Sequence, residues 1–121
     1  MSLISWLFGK KKPYNEIEIL NFGLKLAMSF GKDWLKPIQP RLAKIYPDLT
    51  ETELNIVNAR CQEAMKFGHD TVYSMAEVKG KETNKEDFVR LFKGKYPWVN
   101  SANTNGVFSQ GMYYAYKDLG F

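Results

Sequence analysis

The sequence predicts an all-α fold, a single-domain bundle of about five helices, and three observations carry that expectation. Apolar or small residues recur every three to four positions from Leu54 through Val57, Cys61, Ala64, Met65, Gly68, Val72 and Met75 to Ala76, the rhythm of one buried helix face. Pairs that cap helix starts precede the periodic stretches, Thr50 with Glu53 and Thr83 with Glu86. The chain has 121 residues, 45% of them hydrophobic and 15% aromatic, enough to fill one core without a metal or disulfide.

Taken in order, the first helix is expected over roughly 15–30, opened by Pro13 and Asn15 and stopped by Gly31. Its polar residues Glu18, Asn21, Lys25 and Ser29 form one narrow stripe. Ile17, Ile19, Leu20, Phe22, Leu24 and Leu26 occupy the rest, so this helix should be packed on two sides. Asp33 can cap a shorter segment, 34–46, whose Pro37 and Pro40 leave a regular part only from Pro40 to Ile45. Tyr46-Pro47-Asp48-Leu49 is the turn into a long central helix near 50–78. That helix keeps its phase across Gly68, although a break at Gly68-His69-Asp70 is the alternative.

The polar run 79–84 is the expected loop of the body. A short helix follows to about Phe92, with Phe88, Val89, Leu91 and Phe92 as its apolar contribution and Gly94 as its stop. The last helix begins at Asn100 or Ser101, or only after Asn105-Gly106, and ends at Gly120.

Two parts of the chain look alike. Arg41-Leu42-Ala43-Lys44 leads through Tyr46-Pro47 and a capped helix to Ala64-Met65-Lys66-Phe67-Gly68, and Arg90-Leu91-Phe92-Lys93 leads through Tyr96-Pro97 and a capped helix to Ala115-Tyr116-Lys117-Asp118-Leu119-Gly120, about 50 residues later with a small slip. A duplicated unit of helix, Tyr-Pro corner and helix accounts for this, and chance likeness between helical hairpins is the rival explanation. Gly23 with Ala27, Ala64 with Gly68, and Gly111 with Ala115 are small residues four apart, suited to close helix crossings.

The first 12 residues stand apart from the helical domain expected over 13–121. Leu3, Ile4, Trp6, Leu7 and Phe8 form a dense apolar and aromatic cluster, followed at once by Lys10, Lys11 and Lys12. Aromatic and apolar side chains at the headgroup level with lysines against anionic lipid would make a reversible membrane anchor, and a groove on a partner protein could take the same segment. The alternative is that these side chains fold back onto the body. Net charge is +4 from 17 basic and 13 acidic residues, so without this lysine run 14 basic residues face 13 acidic and the body is nearly neutral.

The start of the chain is unlike a secretory signal, because its apolar stretch is too short and its lysines follow it. No apolar run approaches the roughly 20 residues that span a bilayer. The chain therefore reads as cytoplasmic, with peripheral attachment at the inner membrane face. Scattered arginines make nucleic acid the weakest partner.

The residue types for catalysis are sparse. His69 is the single histidine and Cys61 the single cysteine, eight residues apart and so about 12 Å along one helix. No zinc spacing, phosphate-binding glycine loop or nucleophile elbow occurs, and no cofactor is expected. His69 beside Asp70 and Tyr73 is a proton-handling candidate whose simpler reading is a half-buried helix histidine. Cys61, on the apolar face, reads as a buried reduced thiol.

The sequence thus predicts a non-enzymatic helical binding or scaffolding module docked through Leu3 to Lys12. The alternative is a small-molecule or peptide receptor built on an aromatic groove of Tyr96, Trp98, Gln110, Tyr113 and Tyr116.

Overall fold

The computed structural model describes residues 15–29 and 36–121. Among them are five α-helices and no strand: α1 (Glu16–Ala27), α2 (Gln39–Ile45), α3 (Glu51–Lys79), α4 (Lys85–Lys95) and α5 (Ser101–Leu119), with a 3-10 turn at Gly80–Glu82. The all-helical class and the long helix near 50–78 are as expected. The helices divide into two compact units, Met1–Glu63 and Ala64–Phe121, so α3 gives residues 51–63 to the first and 64–79 to the second.

In the first unit Asn15 caps α1 by accepting from the Glu18 amide at 3.1 Å. The helix buries Ile19, Leu20, Gly23, Leu24 and Ala27. Two residues depart from the predicted stripe. Asn21 is buried, its side-chain amide satisfied by the Ile17 carbonyl at 3.0 Å, and Ile17 is 49% exposed, so α1 is wet on a different edge. The helix also stops at Ala27, earlier than expected, because the Met28 and Ser29 amides turn back to Leu24 and Leu26. The expected stop at Gly31 and cap at Asp33 lie outside the described residues.

Pro40 sits in the first turn of α2, where its missing amide costs no hydrogen bond. The capping box of α3 closes both ways: Thr50 Oγ1 accepts from the Glu53 amide at 3.1 Å, and Glu53 Oε1 accepts from the Thr50 amide at 2.9 Å. Glu53 is buried with the box closed.

In the second unit the start of α4 differs from expectation. Asn84 is the cap, accepting from the Glu86 and Asp87 amides at 2.8 and 3.2 Å. Thr83 instead donates its hydroxyl to the Gly80 carbonyl at 2.6 Å, holding the 3-10 turn that replaces the expected loop. The helix then runs through Gly94 to Lys95, because Gly94 is exposed in a regular turn and meets no neighbour. Asn100 caps α5 through the Asn103 amide at 2.8 Å, so the helix starts at Ser101 and not after Gly106. Gly120, with φ of +75°, is the left-handed terminator.

The likeness between the two stretches extends to the backbone inside each unit. Tyr46 ends α2 at φ −123°, ψ 73°, and Tyr96 ends α4 at φ −125°, ψ 69°. Each bonds back to the residue four before it, and each carbonyl accepts from the residue three after it, Leu49 or Val99. Buried positions recur at an offset of 50: Ile38 and Phe88, Leu42 and Phe92, Leu49 and Val99, Val57 and Val107.

The helix before each short one, to which the spacing of 50 does not point, belongs to the unit as well. Phe22 meets Tyr46 edge to face at 5.9 Å, and Phe67 meets Tyr96 the same way at 5.6 Å. One residue on, Gly23 faces Val57 and Cys61, and Gly68 faces Val107 and Phe92. Each unit is therefore three helices: one carrying Phe-Gly, a short one ending in Tyr-Pro, and one carrying the valine that the glycine receives.

Candidate functional site

The predicted docking segment, Leu3, Ile4, Trp6, Leu7, Phe8, Lys10, Lys11 and Lys12, lies outside the described residues. The predicted aromatic set lies in the second unit. Tyr96 and Trp98 are brought together at 6.4 Å between ring centroids, at the corner between α4 and α5. Tyr96 is buried there between Phe67 and Phe92, and the Lys95 ammonium lies 4.3 Å over the Phe67 ring. These rings cap the end of the unit's apolar core.

Tyr113 and Tyr116 are elsewhere, 49% and 58% exposed on the outer side of α5. Tyr113 packs against Tyr114 and under the Lys117 ammonium, and Tyr116 meets Phe121. Trp98 precedes the first turn of α5, and Tyr116 is 15 residues into that helix, a rise of about 22 Å. A small molecule cannot touch both ends of that span, so the five residues do not converge on one small-molecule pocket.

Gln110, the remaining member, turns inward and is 4% exposed. Its Oε1 lies 2.9 Å from His69 Nε2, which must carry the proton for that contact. Tyr114 stands edge to face on the imidazole at 5.4 Å. Burial pushes the His69 pKa below its ordinary value, opposed by the bond to Gln110 and the charge of Asp70, and burial followed by the neighbouring Tyr113 raises Tyr114. The sequence reading named Asp70 and Tyr73 as the partners of His69. The sequence signal for the observed partner is Gln110 itself, an amide on the buried side of α5 between Val107 and Gly111.

The remaining chemistry-bearing groups are used structurally. Cys61 Sγ donates to the Leu20 carbonyl at 3.2 Å within the first unit, and burial raises its pKa far above the usual thiol range. Asp70 pairs with Lys66 at 2.8 Å and Asp87 with Arg90 at 2.6 Å, both one helix turn apart. Glu51, Glu53, Glu86 and Asp87 lie in first helical turns, where they complement the helix dipole. Among the described residues no group of three metal-ligating side chains occurs, and no helix is long and apolar enough to cross a membrane. No family model, curated protein or solved structure matches the chain.

Proposed function

We propose that this chain is a helical binding module that docks reversibly to an anionic membrane surface through residues 3–12. One observation carries the reading: five apolar or aromatic residues within six positions are followed at once by three lysines, which hold three of the four net positive charges. A lysine near an anionic surface contributes about 1 kcal/mol, and the aromatic rings favour the headgroup region. Among the described residues Glu53 closes a capping box, and Asp70 and Asp87 pair with Lys66 and Arg90 of their own helices.

The test is co-sedimentation of the full chain with anionic and with neutral vesicles, at low and high salt. Replacing Lys10, Lys11 and Lys12 together by alanine should lower the partition onto anionic vesicles by about 3 kcal/mol, roughly a hundredfold, without changing the melting temperature. Trp6→Ser with Leu7→Ser should abolish binding. A chain that stays in the supernatant with anionic vesicles at low salt overturns the membrane reading in favour of a protein groove.

A further inference from the structure

The two units solve one packing problem twice, and they differ at one point that matters chemically. Beside the receiving glycine of the first unit stands Leu24, fully buried and without a titratable atom. The matching residue beside Gly68 is His69. On α5 it faces Gln110, whose counterpart in the first unit is Arg60.

This polar pair sits in a close helix crossing. Gly68 is received by Val107 and Phe92 on one side, and Gly111 is received by Val72 on the other, so α3 and α5 approach closely beside the pair. We infer that the His69–Gln110 pair makes this crossing a pH-sensitive catch, closed when the imidazole is neutral and loosened by mild acid, while the first unit has no such element.

The physical reason is the second proton. With Nε2–H donating to Gln110, protonation falls on Nδ1 and places a cation on a half-buried ring beside the buried Gln110. Little there compensates it. Asp70, on the same helix, is exposed and already paired with Lys66. From α5 the facing groups are Gln110 and Tyr114, and Lys117 and Asp118 lie two turns beyond Gln110, about 10 Å along the axis. On α4, Arg90 pairs with Asp87 and Lys93 donates to the Pro97 and Val99 carbonyls.

The sign follows from that imbalance. The unfolded chain takes up a proton near the ordinary value of 6.5, and the folded unit resists it to lower pH. Stability is therefore full above about 6.5 and falls as pH drops from there toward the folded value.

Because His69 is the single histidine, its ring resonances report one group in the full chain without assignment. The experiment follows those resonances and the amide exchange of α5 and α1 between about pH 5 and 8, corrected for intrinsic exchange. The expected result is a titration midpoint below 6.5, with protection in α5 lost on acidification and protection in α1 retained. His69→Gln should remove the pH dependence of α5, and His69→Leu, which copies the first unit, should do the same. A midpoint at or above 6.5 overturns the proposal, as does a His69→Gln chain whose α5 loses protection on acidification as the unaltered chain does. If neither variant folds, the titration and exchange of the unaltered chain decide it alone.

Discussion

The Cys61 thiol shows how far a single residue can be read before its neighbours are known. Its place on an apolar helix face predicted burial, and the structure adds the Leu20 carbonyl that accepts its proton. Since the thiolate is the reactive form and burial disfavours it, a thiol reagent at neutral pH should label the folded chain only at the rate of opening. Labelling should become immediate in denaturant. Labelling of the folded chain as fast as a free cysteine would contradict this. Other single residues were less legible. Asn21 and Ile17 exchanged their expected environments because a side-chain amide can satisfy itself on the carbonyl four residues back, which polarity alone does not announce. Thr83 lost the capping position to Asn84 because the better acceptor stood one residue closer to the helix.

At the scale of the element, boundaries follow local chemistry. The start of α3 is set by the reciprocal bonds of Thr50 and Glu53, and that of α5 by Asn100. Thr50→Ala and Asn100→Ala should each destabilise the chain by about 1 kcal/mol, read as a lower urea midpoint with unchanged slope. A change within a few tenths of a kcal/mol would mean that packing alone fixes those starts. The ends of helices were harder to read than their starts. Gly94 looked like a stop but lies in open space in the regular turn before the tyrosine, so nothing about it forces the chain out of the helix. Gly120 looked the same and is a true terminator, because the backbone there turns left-handed.

For the chain as a whole, the repeat was visible at the Tyr-Pro corners and invisible in the helix before them. Tyr46-Pro47 and Tyr96-Pro97 are 50 residues apart, whereas Phe22-Gly23 and Phe67-Gly68 are 45 apart, and the slip hides the kinship from any fixed period. The edge-to-face ring pairs and the glycine-valine contacts restore it, since both halves of each unit must meet in space whatever their spacing in sequence. The candidate sites divided in the same way. The residues of the expected aromatic groove are distributed from the corner between α4 and α5 along α5, Tyr96 and Gln110 are buried, and Gln110 meets a histidine 41 residues earlier.

The two-copy architecture rests on two glycines that cannot be enlarged, and a series of Gly→Ala variants compared by thermal unfolding tests it most directly. A Cβ on Gly23 would come within 2.9 Å of Cys61 Sγ and 3.0 Å of Val57, and one on Gly68 would overlap Val107. Gly23→Ala and Gly68→Ala should therefore each destabilise the chain by about 1–3 kcal/mol, with Val107→Ala partly relieving the second. Gly94→Ala, in a helix with no neighbour, should stabilise by up to about 1 kcal/mol. If all three substitutions raise the melting temperature alike, the glycine-valine crossings do not exist and the repeated unit is not the basis of this fold.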